Sequence, residues 1–408
     1  AAAFKEAAEK LGIAVVAGSD RCHVLEDPWR DGAIPLRFEE PTASVESIVQ
    51  YASHHRLDAV LPVGDKPTLT AAIACQTLGL LHNSPAAVRA CRDKYQFRQL
   101  LQSAGVDGPA FCRFPAQNDP PSTPPGVAFP CVLKPLSLSA SRGVIRADNT
   151  EQFTAAFRKI QALLKTPDIR RTKDEAIEWI LAESYLEGPE VALEGILDRG
   201  ALQVLALFDK PDPLEGPYFE ETIYTTPSRL PEATQHQIIR CTEQAIAAVG
   251  LSHGPIHAEL RLTPQGPRIL EVAARSIGGL CSRSLRFDAG MSLEELIIRH
   301  ALKLPIGSVR REAAASGVMM IPVPAAGVLL EVRGQEKALE TPGIEEIHIT
   351  AKIQQTLVPW PEGSSYLGFI FARAASSSSP AAEEVEAALR TAHSKLQFVI
   401  SPALPVVR

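Results

Sequence analysis

Apolar positions along this chain follow two rhythms. Over residues 1–11 they recur every three or four positions, which predicts an amphipathic helix ending at Gly12. A short apolar run at 13–17 predicts a buried strand. The alternation continues with a helix at 44–56, a strand at 59–62 and a helix at 68–78 closed by Gly79. Strands that alternate with helices imply a parallel sheet, so residues 1–88 read as an α/β domain. The chain opens inside its first helix, without an initiator Met, and a strand and loop are expected to precede it.

Ser84-Pro85 caps a further helix, with Pro in its first turn. Residues 93–104 continue helically to Gly105. Residues 109–130, rich in Pro, Ser and Gly, read as a linker into a new unit. Strands follow at 129–135, 177–186, 190–197 and 201–208, with helices at 151–164, 235–249 and 292–302. From Val309 the pattern becomes an α+β tail, with strands at 318–322, 344–349 and 367–372, a Ser-rich loop at 375–380 and a helix at 383–396.

The clearest alternation runs from Gly254 to Arg275 on both sides of Thr263-Pro264-Gln265-Gly266, whose Pro and Gly are turn residues. This predicts a β-hairpin. Residues two apart share a strand face, so His257, Glu259 and Arg261 point one way. The return strand brings Glu271 across from Glu259. Two facing carboxylates repel unless a cation joins them, and paired carboxylates plus phosphates are a usual Mg²⁺ site. An edge hairpin with two solvated Glu is the plain alternative.

Composition removes several function classes. With 408 residues the chain can form two or three domains, and 45% apolar content supplies ample core. A net charge of -6 and no basic run argue against a nucleic-acid partner. No apolar stretch is long enough for a membrane span. The seven Cys form no C-x-x-C pair, which fits a reducing cytoplasm rather than a metal or disulfide framework.

A second candidate segment is Phe129-Pro-Cys-Val-Leu-Lys-Pro-Leu-Ser-Leu-Ser-Ala-Ser-Arg-Gly-Val144. Lys134 ends an apolar strand and presents one ammonium. The small residues Ser137, Ser139, Ala140, Ser141 and Gly143 would let backbone N–H groups and hydroxyls approach phosphate. Arg142 could add charge there, and a polar loop between strands is the alternative reading. Lys94, alone more often a surface lysine, sits on a helix near this unit. Around 180–194, Glu183 to Leu186 could offer main-chain groups to an adenine, and Glu190 could accept from ribose hydroxyls. Gly64-Asp65 follows a strand end, where open α/β sheets place ligands, although a simple turn is equally consistent.

The order Lys94, Lys134 with its small-residue loop, Glu183-x-x-Leu186, Glu190, Glu259 and Glu271 resembles the ATP-grasp superfamily over about residues 85–302. Glu271-Val-Ala-Ala-Arg275-Ser-Ile-Gly-Gly, Phe219-Glu-Glu-Thr-Ile-Tyr-Thr-Thr-Pro227 and Ser364-Ser-Tyr-Leu-Gly-Phe-Ile-Phe-Ala-Arg373 are similar to its L-amino-acid ligase subgroup. The resemblance implies a Rossmann-like pre-ATP-grasp domain at 1–88 and an ATP-grasp domain at 89–302, with a small lid at about 111–188. It also implies a ligase-type C-terminal domain at 303–408. It makes Lys94 and Lys134 phosphate ligands, the hinge an adenine site, and Glu259 and Glu271 holders of Mg²⁺, with Mn²⁺ as an alternative. Two departures are Ala273, where many relatives carry Asn, and a phosphate loop with a single Gly.

By this resemblance the reaction joins a carboxylate to an amine at the expense of ATP, through an acyl phosphate. Arg275 has the fork to grip a carboxylate or acyl phosphate, or else makes a structural ion pair with one of the acids. Glu221 could hold a substrate ammonium or reach the metal. His257 could orient Glu259 or touch substrate, or simply be a satisfied buried His. Amino acids are the expected substrates, and family dimers leave a homodimer open. A ligase for another acid or amine, a degenerate nucleotide-binding protein and, less favoured, a biotin-dependent carboxylase are the competing readings.

Overall fold

A computed structural model describes residues 2–20, 32–172, 174–374 and 381–402. The expected Ser-rich loop at 375–380 lies outside these. The first helix is Ala2–Lys10, and it buries Ala7 and Ala8 against Ile298. The expected strand at 13–17 is displaced: parallel pairing joins Ala17–Ser19 to Ala33–Pro35, and Val15 is exposed. The expected strand at 59–62 forms no ladder among the described residues. An apolar run is not enough for a strand, because its N–H and C=O groups also need a neighbouring edge. Leu61 instead packs beside Ala7, Ala8 and Ile298.

Eight strands form the central sheet, in the order Gly266–Ala273, His253–Thr263, Glu190–Asp198, Ala201–Asp209, Ile223–Thr226, Ser316–Ile321, Gly368–Arg373, Ile344–Ile349. Every neighbouring pair is antiparallel. The sheet therefore runs on past residue 303, and three strands of the C-terminal segment extend the same layer. Tyr224 and Phe208 pack below it with Val318 and Phe371. Helix Glu232–Val249 covers the hairpin through Ile238, Ala245 and Ile246. Helix Ala381–Ser394 covers the far end through Val385 and Leu389.

A separate four-stranded sheet has the order Phe111–Pro115, Trp179–Ser184, Cys131–Pro135, Ile145–Ala147. Phe111–Pro115 lies inside the segment read as a linker. Its alternation was masked by flanking prolines. Helix Thr150–Leu164 starts at the Asn149 cap and buries Phe153, Phe157 and Ile160 on this sheet. Each such side chain contributes about 1.5–3 kcal/mol.

The two sheets meet at residues 185–189, and Gly188 makes that junction possible. Its φ is 125°, and a Cβ there would lie 2.1 Å from the Leu262 carbonyl oxygen. No other residue type tolerates both the backbone and the approach. The Leu262 N–H also donates to the Pro189 carbonyl, so the connection is pressed onto the hairpin.

Candidate active site

A cavity of about 330 Å³ lies between the two sheets, lined from the central hairpin, the small sheet and the loop after Lys134. Lys94, Lys134, Ser139, Ser141, Glu183, Leu186, Glu190, Glu221, His257, Glu259, Glu271 and Arg275 all border it. Their sequence positions run from 94 to 275, so only the folded arrangement places them together. Ser137, Arg142 and Gly143, also candidates in the loop after Lys134, do not line the cavity.

The hairpin carries the acids. Glu259 and Glu271 are direct partners across the antiparallel ladder, and the register slips between Glu259 and Leu260. The pairing tracks the alternation of the two strands, with Thr263 and Gly266 closing the turn. Glu259 lies 3.5 Å from the Lys210 ammonium and 3.4 Å from His257 Nε2. Burial works against its charge, but Lys210 and His257 outweigh it and hold the carboxyl low. Glu271 behaves oppositely: burial and the neighbouring Glu259 both push it up. One acid is thus held charged by its neighbours, whereas Lys94 and Arg275 do not offset burial and Glu259 at its partner.

His257 is held at both nitrogens, with Nδ1 3.1 Å from Glu194. Burial disfavours its charge, but Glu194 and Glu259 outweigh burial and raise it to about 9. The two carboxylates thus favour the charged imidazolium, and the ring bridges Glu194 to Glu259. Glu194 also accepts from the Ile277 N–H at 3.0 Å, which pins the chain just beyond Arg275.

Opposite the hairpin stand the lysines. Lys134 donates to Glu183 at 2.5 Å, and Arg98 donates to the same carboxylate at 2.5 Å. Burial raises the Glu183 carboxyl, yet the two cations overcome it and hold the group down to about 2. Glu183 thus uses its side chain to position Lys134, leaving only backbone for other contacts. Asp93 caps helix Lys94–Ser103 by accepting from the Tyr95 and Gln96 N–H groups. That cap orients Lys94, whose Nζ donates to the Leu138 carbonyl at 2.6 Å. Burial lowers the Lys94 ammonium, Glu271 opposes this, and Lys134 adds to it.

The loop after Lys134 differs in part from expectation. Ser139 and Ser141 face the cavity, and Ala140 and Ser141 both hold positive φ (55° and 52°). Such backbone is costly for residues with a Cβ and concentrates where a loop must present groups. Gly143 instead donates its N–H to the Pro361 carbonyl at 2.9 Å. Its role is a tight turn against Pro135 and Leu163, where a Cβ would clash. Arg142 likewise points away, to the Glu362 carbonyl and Asp168. The C-terminal segment around Trp360–Glu362 therefore clasps this loop, a contact no local pattern announced.

Arg275 grips Asp65 with both arms, at 2.8 and 2.9 Å. The partner is not one of the hairpin acids but the Asp of Gly64-Asp65, which thereby joins the site from the N-terminal region. Burial opposes the Asp65 charge, and Arg275 reverses it and holds the carboxyl low.

Sequence reading missed Lys210, Arg98 and Glu194, and placed Arg261 on the face of Glu259 without giving it a role. Lys210 follows the strand Ala201–Asp209, whose Asp209 pairs with Val191. That register places Lys210 beside Glu190, and antiparallel counting would have found it. Lys210 donates to Glu190 at 2.6 Å and to Glu221, and Arg261 donates to Glu190 at 3.0 Å. Glu190 thus has both oxygens engaged, and any ribose hydroxyl would share them. Burial and Glu259 push Glu221 up to about 7, against the pull of Lys210.

Against this geometry, the ATP-grasp domain family matches residues 127–284, and the ATP-grasp N-terminal domain matches residues 5–81. The L-amino acid ligase C-terminal domain 2 matches residues 319–401. The chain belongs to the ATP-grasp superfamily, in its L-amino-acid ligase subgroup. A crystal structure of L-amino acid ligase from Bacillus licheniformis superposes with a TM-score of 0.82 at 27% identity, covering 98% of this chain and 95% of that one. Alanine–anticapsin ligase from Bacillus subtilis (strain 168) is 27% identical over 307 residues, 71% of this chain and 64% of that protein. Carnosine synthase 1 from Gallus gallus is 33% identical over 264 residues, 61% of this chain and 28% of that protein. The chain thus spans under two-thirds of the length of these two relatives. Among the described residues no helix is long and apolar enough to cross a membrane.

Proposed function

We infer that this protein is an ATP-dependent ligase joining the carboxylate of one amino acid to the amine of a second. The observation that carries this is the opposition, across one cavity, of the Glu259–Glu271 pair to Lys94, Lys134 and the serine loop, with Arg275 and Glu221 on the same rim. Phosphoryl transfer needs position and charge neutralisation more than a protein nucleophile, and this set supplies both. The relatives and the C-terminal ligase domain support the amino-acid assignment.

In the proposed reaction a carboxylate oxygen attacks the γ-phosphorus, the bridging P–O bond breaks, and ADP leaves. The amine nitrogen then attacks the acyl carbon, phosphate departs, and the nitrogen sheds a proton. Lys94 and Lys134 would neutralise phosphate, with Ser139 and Ser141 adding donors. Leu186 and the backbone after Glu183 would bound the adenine, and Glu190 would face the ribose. Glu259 and Glu271 would hold Mg²⁺ or Mn²⁺, whose charge would screen the phosphates. Glu221 would take a substrate ammonium, and Arg275, steered by Asp65, the carboxylate or acyl phosphate.

The deciding experiment is phosphate release from Mg-ATP across all pairs of the twenty amino acids, with mass spectrometry of the products. Release that requires a particular pair, with the matching dipeptide mass, is the expected result. ATP binding without amino-acid-dependent turnover would overturn the reading and point to another acid or amine.

Arg275→Ala tests the rim. An interaction made mainly in the transition state is worth about 10²–10³ in kcat. The variant should lose about that much kcat while its Kd for ATP changes little. A weakened ATP affinity at unchanged kcat would place Arg275 with the nucleotide instead.

A further inference from the structure

The Lys210 ammonium sits where three acids converge, Glu190 buried and Glu221 and Glu259 half-buried. It donates to Glu190 at 2.6 Å and to Glu221, and lies 3.5 Å from Glu259. The side chain is 2% exposed. One oxygen from each of the three carboxylates lies within 4.8 Å of the others, a spacing a metal ion could bridge. Tyr224 closes the position: its ring lies 5.1 Å from the ammonium, and its hydroxyl donates to Glu221 at 2.8 Å.

Each of these three acids has another duty. Glu259 is one of the proposed metal pair, and its partner Glu271 is not among the three that converge. Glu190 is shared with Arg261, and Glu221 faces the substrate rim. A hard divalent cation attracted to this site therefore has two choices: the Glu259–Glu271 side or the Glu190–Glu221–Glu259 side. A carboxylate cluster does not by itself distinguish them. A lysine does, because its charge is covalently tethered on one side.

We propose that Lys210 is a positioning residue that acts as a built-in cation. Its ammonium fills the Glu190–Glu221–Glu259 position, excludes a metal ion from it, and so confines metal to the Glu259–Glu271 side. The inference rests on the reading of Glu259 and Glu271 as the metal pair. Lys210 also keeps Glu221 turned toward Glu190 instead of toward a metal, which preserves it for a substrate ammonium. A single Mg²⁺ or Mn²⁺ register on the acids follows, whatever the amino acids are.

The test is Mn²⁺ binding to the full chain with ADP present, counted by electron paramagnetic resonance of free Mn²⁺. Lys210→Met should bind one more Mn²⁺ per chain than wild type, and Lys210→Arg should keep the wild-type count. The Lys210→Met/Glu221→Gln double variant, which removes one acid with the cation, should return to the wild-type count. It also supplies a variant with less buried charge should Lys210→Met fold poorly. Ligase turnover of Lys210→Met should fall about 10–100-fold, the usual effect of losing a group that orients a metal ligand. An unchanged Mn²⁺ count in folded Lys210→Met overturns the proposal. The metal-pair reading fails separately, if Glu271→Gln binds as much Mn²⁺ as wild type.

Discussion

Glu271→Ala should abolish turnover and leave the protein folded. No side-chain hydrogen bond or ion pair holds Glu271 among the described residues, so removing it strips away little structure. Burial and Glu259 already disfavour its charge, and the alanine variant relieves that repulsion. Thermal melting should therefore stay level or rise. Activity should behave otherwise. Metal charge at a transferring phosphoryl group is worth several kcal/mol, which corresponds to about 10³-fold in rate. Steady-state phosphate release and a melting curve on the same preparation check both halves. A folded Glu271→Ala protein with normal turnover would remove Glu271 from the metal pair.

Arg98→Ala should have the largest effect on stability. Its guanidinium is 2% exposed and serves three elements at once. It donates to Glu183 at 2.5 Å, and to the carbonyls of Ile269 and Leu270 at 2.9 Å each. It therefore ties helix Lys94–Ser103 to the small sheet and to the return strand of the hairpin. Truncation leaves Glu183 buried with Lys134 as its remaining cation, and breaking such a buried pair costs about 3–5 kcal/mol. The loss should appear as a lower melting temperature and a lower urea midpoint. Glu183 is held down to about 2 from an ordinary 4.5, so its contribution is full above about 4.5. It is lost as pH falls through the lower value. The stability gap between wild type and Arg98→Ala should therefore narrow in acid. Equal melting of the two proteins at neutral pH would contradict the buried-network account.

Much of the site was legible because its strongest signals are local. Alternation around a Pro-Gly turn is enough to put Glu259 opposite Glu271, and the ladder pairs these two residues. Lys134 ends an apolar strand and reaches the cavity from there. Helix 68–78 and strand 344–349 were equally local, since period and end signals determine them. The strands expected at 13–17 and 59–62 failed for the complementary reason. A strand exists only when a neighbour accepts its hydrogen bonds, and no window of sequence contains that neighbour.

The same division separates the chemistry. Which residues carry charge, and which face of a strand they occupy, follows from side-chain identity and a period of two. Which charges neutralise one another does not. Asp65 meets Arg275 across 210 positions, Arg98 meets Glu183 across 85, and Pro361 holds the loop at Gly143 across more than 200. Burial then turns those meetings into function, because a carboxylate out of water is governed by its nearest cation. Glu259 with Lys210 and His257 stays charged, whereas burial and Glu259 itself push Glu271 toward its neutral form. Local pattern set the acids on one hairpin; tertiary packing, through desolvation and long-range partners, decided what each of them does.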